Sequence, residues 1–172
     1  MSVSKVSYMD MPVLIPVAPN HFALVDARMV SKVKKYKWKL TARSYAACLI
    51  GGSCLLMHRL VADAPDDKDV DHRNHNGLDN RLSNLRLCTP RQNSGNARKQ
   101  HWVNPDRMTS SRFKGVSFRS DRKRWTAYVG TGKNRWHLGC FESEEEAARA
   151  YNKAAVEYFG EFAKLNKFDE DN

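Results

Sequence analysis

Short apolar runs broken by Pro, Gly, Asn and Ser fill the first third of the chain. Val13 to Val17, Phe22 to Val25 and Tyr45 to Ile50 are each too short for a packed helix and predict strands. Residues 26 to 39 set Val30, Val33 and Trp38 among five lysines, a pattern that suits one basic amphipathic helix or a turn. Gly51-Gly52 predicts a turn, Cys54 to Met57 a strand, and His58 to Ala62 the start of a helix that Pro65 ends. Val70-Asp71-His72 then closes an apolar strand, Asn74 to Asn80 is a polar turn around Gly77, and Asn84 to Leu87 reads as the returning strand of a long-looped hairpin. Thr89, followed by Pro90 and, three residues on, Gln92, predicts a capped helix with Asn93 in its first turn.

After a polar, Pro-containing stretch at 100–111, the period changes. In Arg124 to Val129, strict alternation puts Trp125, Ala127 and Val129 on one face and Arg124, Thr126 and Tyr128 on the other. The next run repeats it, with Trp136, Leu138 and Cys140 inward and Arg135 and His137 outward; Phe113 to Arg119 alternates less cleanly. Ser143 and Glu146 form a capping box that opens a helix, on which Ala147, Tyr151, Ala154 and Tyr158 recur at helical spacing up to Gly160. Three strands with one apolar and one basic face, backed by one helix, are the expectation. Trp125, Trp136 and Tyr151 are expected in its core.

A chain of 172 residues holds one ordinary domain or two small ones, and its formal charge of +10 favours an anionic partner. The distribution says more than the total. Residues 111–135 carry eight Lys or Arg against Asp121, whereas residues 136–172 carry four against nine acids, so one side of this unit attracts phosphate and the other repels it. Cys48, Cys54, Cys88 and Cys140 form no C-x-x-C pair, so no structural zinc is expected. Without a signal peptide or a long apolar span, the expected setting is the cytoplasm, with reduced thiols and no membrane partner.

Phosphodiester hydrolysis needs a nucleophilic water, a base, and positive charge at the phosphate and the departing 3′ oxygen. Asp71, His72 and Asn93 together can supply these: two oxygen ligands suit a hard cation such as Mg²⁺, and an imidazole titrating near neutrality suits the base. Asp71-His72, then Asn84 twelve residues after His72 and Asn93 nine residues further, resembles the HNH endonucleases, in the variant whose last His is replaced by Asn. Met57 to Ala62 is similar to the segment that precedes this motif in phage-type members. The resemblance implies a ββα-metal unit in which Asp71 and Asn93 hold Mg²⁺ or Mn²⁺, His72 activates water, and Asn84 braces the imidazole and the loop. Arg86 would touch phosphate or support the hairpin. His58 reads as structural, and His75 as solvated or near phosphate.

Phe113-Lys114-Gly115-Val116, Trp125-Thr126-Ala127, His137 to Phe141, Glu145 to Tyr151 and Lys164-Leu165-Asn166 resemble an AP2 domain, a three-stranded sheet backed by one helix. By motif position, Lys114, Arg119, Arg124, Arg135 and His137 are the expected DNA contacts, and Tyr128, outward on the same face by alternation, is expected beside them. Ser117 and Gly130 replace residues commonly Arg in plant AP2 domains, and His137 one commonly Trp, so the plant target sequence does not transfer.

The resulting expectation is an α+β chain: a short-strand platform at 1–56, an HNH ββα-metal unit at 57–99, a linker at 100–111 and an AP2-like unit at 112–168. The pairing implies a free-standing, homing-type endonuclease or nickase of phages or mobile elements, cutting double-stranded DNA to 5′-phosphate and 3′-hydroxyl ends, in the host cytoplasm if phage-encoded. Two alternatives stand beside it: a non-catalytic DNA-binding regulator with a vestigial HNH unit, and an accessory nuclease of phage DNA packaging. Oligomeric state is left open, with a monomer the simpler case.

Overall fold

The structure, a computed structural model, describes residues 7–97, 110–131 and 134–168. The expected linker lies outside these residues apart from Ser110 and Ser111, as do residues 98–99 and 1–6 of the units beside it. Two compact units follow one another, Met1–Thr89 and Pro90–Asn172.

In the N-terminal unit the short apolar runs form strands. β1 (Pro12–Ala18) pairs antiparallel with β2 (His21–Asp26), and β3 (Lys39–Leu40), β4 (Ala46–Ile50) and β5 (Ser53–Leu56) make a second antiparallel sheet in that order. The basic stretch between them is mostly turn: a 3₁₀ turn at Ala27–Met29 runs into α1 (Val30–Val33), and the Trp38 indole N–H donates to the Val33 carbonyl over 2.8 Å. The helix α2 (Met57–Val61) leads to β6 (Asp69–His72), which pairs antiparallel with β7 (Leu85–Cys88). Ile15, Val17, Ala23, Val25, Val33, Trp38, Met57, Val61, Val70 and Leu85 share one buried cluster, so the platform and the β6–β7 hairpin have a common core.

β2 also supports the hairpin's loop. Leu24 N–H donates to the Leu78 carbonyl (2.7 Å), Asn80 N–H to the Leu24 carbonyl (2.8 Å), and Leu82 N–H to the Asp26 carboxylate (2.7 Å). Three bonds across more than fifty residues of sequence fix a polar loop whose Leu78 and Leu82 also pack against the shared core.

The C-terminal unit opens with α3 (Pro90–Asn96) and continues with β8 (Val116–Arg119), β9 (Arg124–Thr131) and β10 (Asn134–Phe141), an antiparallel sheet with β9 central. α4 (Glu144–Phe159) covers one face. Its capping box is formed as expected, Ser143 accepting from Glu146 N–H and Glu146 from Ser143 N–H, and Gly160 ends it with φ 58°. Phe113, Val116, Ala127, Ala147 and Ala148 form the core, with Trp125, Leu138, Phe141 and Phe168 against it.

Three expectations need correcting here. Cys140 is exposed, because β10 bulges at Leu138: His137 pairs with Tyr128 but Gly139 pairs with Ala127, and the inserted residue turns everything after it over. Gly139, at φ 138°, supplies the backbone conformation, and Phe141 takes the inward place instead. The buried stripe of α4 is Ala147, Ala148, Tyr151, Ala155 and Phe159, turned from the expected one so that Ala154 and Tyr158 are only half-buried. Trp136 is 48% exposed and lies against Tyr158, 4.7 Å between ring centres, at the edge of the core.

α3, which the motif attaches to the hairpin, packs within the C-terminal unit. Lys164 N–H donates to the Gly95 carbonyl (3.0 Å), the Arg91 guanidinium lies 3.7 Å from the Tyr158 ring centre, and a Cβ on Gly95 would come within 2.7 Å of the Phe159 ring.

Candidate functional site

The end of β6 places Asp71 and His72 side by side, both buried. Register does the rest: Asp71 is the cross-strand partner of Arg86, and Arg86 Nε donates to Asp71 Oδ2 over 2.7 Å, with both side chains below a tenth exposed. Arg86 thus ties β7 to β6 and holds one oxygen of the carboxylate.

The loop from 73 to 84 is a network of side-chain amides. Asn84 Nδ2 donates to Asn74 Oδ1 (3.0 Å) and the Asp79 carbonyl (2.7 Å), while its Oδ1 accepts from Asn74 N–H (3.0 Å). Arg81 grips the Asp79 carboxylate with two bonds of 2.7 Å, and Asn74 Nδ2 adds a third at 2.8 Å. Arg81 foremost, then Asn74, holds the Asp79 carboxyl below the usual carboxylate range. Asn84 bonds only within the loop among the contacts described, whereas Asn80 meets the imidazole: His72 Nε2 lies 3.1 Å from Asn80 Oδ1. The sequence reading missed Asn80 because, in a run of Asn and Asp, it looked like ordinary turn chemistry.

His72 is also enclosed by rings. His58 meets it edge-on with centres 5.0 Å apart, and Tyr45 lies 5.8 Å from His72 and 5.2 Å from His58. Burial pushes the His72 pKa down, opposed by Asn80, Asp71 and Asp79. Burial, then the nearby His72 and Arg59, pushes His58 down to about 3. Both imidazoles are thus neutral at physiological pH, and a neutral ring has a lone pair to accept a proton. His58 Nδ1 is buried without a hydrogen-bond partner among the described residues.

Among the described residues, no group of three or more His, Cys, Asp or Glu side chains gathers as a metal cage. The hairpin instead offers one carboxylate, Asp71, and the second donor implied by the resemblance is the amide of Asn93. An oxygen donor set with few carboxylates fits Mg²⁺ or Mn²⁺, which keep several waters and accept phosphate oxygens. Asn93 stands on α3 in the C-terminal unit.

On the sheet of that unit, the outer face carries Arg119, Arg124, Tyr128, Arg135, His137 and, through the bulge, Cys140. Arg135 lies 4.9 Å from the Tyr128 ring centre, Tyr128 and His137 are 5.0 Å apart, and Cys140 Sγ is 3.8 Å from His137 Nε2. The acids are less segregated than the charge pattern suggested: Arg119 pairs with Asp121 through two 3.0 Å bonds, and Arg124 reaches Glu142 at 3.2 Å. Lys114 departs from its expected place on the DNA side. Its ammonium donates to the carbonyls of Ser94 (3.3 Å), Gly95 (2.7 Å) and Ala97 (2.7 Å), capping the C-terminal end of α3, where orphan carbonyls attract a cation. Burial, then Lys164, pushes its pKa down to about 8.

A family model described as HNH endonuclease matches residues 56–94, from the last residue of β5 into α3. The chain is 38% identical over 154 residues to an uncharacterized HNH endonuclease of Acanthamoeba polyphaga mimivirus, covering 86% of this chain and 76% of that protein. Shorter stretches are similar to plant proteins. The ethylene-responsive transcription factor WRI1 of Arabidopsis thaliana is 41% identical over 64 residues, 36% of this chain and 15% of that protein. The APETALA2-like protein 2 of Oryza sativa subsp. indica is 44% identical over 59 residues, 33% and 13% respectively. No solved structure matches.

Proposed function

The chain belongs to the HNH endonuclease family, and on that premise we propose that it hydrolyses phosphodiester bonds of double-stranded DNA with the help of a divalent cation, His72 taking the proton of the attacking water. The observation that carries this is the pair at the end of β6, a buried, neutral imidazole directly beside a buried carboxylate. His72 accepts the proton; the hydroxide oxygen forms its bond to phosphorus; the bond to the 3′ oxygen breaks, and that oxygen takes a proton from solvent. Asp71 and Asn93 are the proposed cation ligands, with Mg²⁺ or Mn²⁺ the proposed metal; such a cation, when bound, supplies positive charge to the phosphate and the departing oxygen. Asn84 keeps the loop between the strands in one conformation.

The outer face of the β8–β10 sheet is the proposed DNA reader, of AP2 type, with Arg119, Arg124, Tyr128, Arg135 and His137 as contacts. Phosphates would compete with Asp121 and Glu142 for two of these arginines, so part of the binding energy goes to separating surface ion pairs, which solvent already weakens. A free-standing, homing-type role fits one chain that carries both cutter and reader. The alternative, a regulator whose hairpin does no chemistry, draws on the Arg86–Asp71 ion pair, which already engages one carboxylate oxygen.

Supercoiled plasmid separates the two. Nicked or linear product with Mg²⁺ or Mn²⁺, and none with EDTA, is expected of the nuclease. His72→Ala should lower the cutting rate by about 10²- to 10⁴-fold, the usual worth of a general base, and leave gel-shift affinity unchanged. Undiminished hydrolysis in that variant would take the base role from His72.

A further inference from the structure

We propose that Asn80 is a positioning residue that fixes the tautomer of His72, holding the proton on Nε2 so that Nδ1 carries the basic lone pair. The inference deepens the hydrolytic reading and rests on it for the role of the lone pair. It is carried by what surrounds the Asn80 amide. Asn80 is fully buried, and its Nδ2 faces two acceptors, Met57 Sδ and the Leu78 carbonyl, each at 3.4 Å. An amide nitrogen facing acceptors turns its oxygen the other way, here to His72 Nε2 at 3.1 Å. The reverse orientation would set a carbonyl oxygen against a thioether and a second carbonyl. An oxygen can only accept, so the ring nitrogen it meets must donate, and a neutral imidazole with Nε2–H has its lone pair on Nδ1.

The amide is not at liberty to follow the ring. Asn80 N–H donates to the Leu24 carbonyl (2.8 Å), and the preceding residue, Asp79, bridges to Leu24 on β2. On the ring's side, His58 and Tyr45 restrict its plane. In the opposite tautomer the Nε2 lone pair would face the Asn80 oxygen across 3.1 Å, two acceptors with no proton between them, a difference that biases the equilibrium about tenfold or more. On proton transfer from water, Nδ1 gains the proton, and the imidazolium still donates Nε2–H to the same oxygen, so nothing at Asn80 has to rearrange.

The ¹⁵N spectrum of the labelled full chain at neutral pH reads the tautomer directly, with His72→Gln identifying the His72 signals among the six histidines. The expected spectrum shows a protonated Nε2 and an unprotonated Nδ1. Asn80→Leu, of similar volume but without an acceptor, should mix the tautomers and lower plasmid cutting by about 10- to 100-fold, as loss of an orienting partner does elsewhere. Asn80→Asp, which keeps an acceptor, should keep the Nε2–H form and retain cutting to within about tenfold. Nδ1–H in the wild type overturns the assignment, and so does an Asn80→Leu protein that loses activity with its tautomer unchanged. If Asn80→Leu does not fold, the wild-type and Asn80→Asp spectra still decide. Nε2–H in a wild type that cuts nothing with Mg²⁺ or Mn²⁺ would instead sink the hydrolytic reading and the use made of Nδ1 with it.

Discussion

His58 and His72 stand ring to ring, and burial keeps both neutral, so acid must charge two imidazoles that share one wall. For His58 the folded pKa, about 3, lies below an unfolded value near 6.5. The stability it contributes is therefore complete above about pH 6.5 and is lost as pH falls from there towards 3. Urea midpoints measured at pH 7.5 and pH 5 should drop for the wild type and drop less for His58→Phe, which keeps a ring of similar size but cannot ionise. Equal drops would assign the acid sensitivity to other groups. At this scale the sequence was a partial guide. Asp71 and His72 were legible because a strand end is where side chains can meet a substrate, and because their spacing to Asn84 and Asn93 is characteristic. The Arg86 ion pair and the Asn80 contact were not legible, since both depend on how a long loop closes the hairpin, and loop length alone does not fix register.

Among the elements, alternation revealed β9 because that strand keeps one apolar face without interruption. It misled at Cys140, since one inserted residue in β10 leaves no mark in composition. The α4 stripe was displaced for a related reason: alanines on adjacent positions let the helix rotate without losing apolar surface, and the contact with β9 chose Ala148 and Ala155 over Ala154 and Tyr158. The start of α3 was legible from Thr89-Pro90, but its packing partner was not, because that depends on residues some seventy positions away. Gly95 tests this packing. Alanine is favoured over glycine in a helix interior by about 1 kcal/mol, less at the penultimate residue of a short helix. The new Cβ would press into Phe159, and overpacking costs about 1–3 kcal/mol. Gly95→Ala should thus lower stability by about 1–2 kcal/mol in urea unfolding; a gain would mean that helix propensity outweighs the contact.

Over the whole molecule, the net charge of +10 drives association with any polyanion, while specificity has to come from the face on which the charges stand. Arg135 is the useful probe: it stacks beside Tyr128, whereas Arg119 and Arg124 have acidic partners to exchange. Arg135→Ala should weaken DNA binding and reduce the slope of log affinity against log salt by about 1, measured by fluorescence anisotropy from 50 to 200 mM salt. An unchanged slope would remove Arg135 from the interface. The seating of α3 carries a practical consequence for anyone dissecting such chains. A fragment excised along the nuclease motif, ending near residue 99, would keep this helix in sequence yet strip it of Lys114, Tyr158 and Phe159, the groups that cap and cushion it. The span a motif occupies and the span a helix needs in order to persist are different lengths of polypeptide.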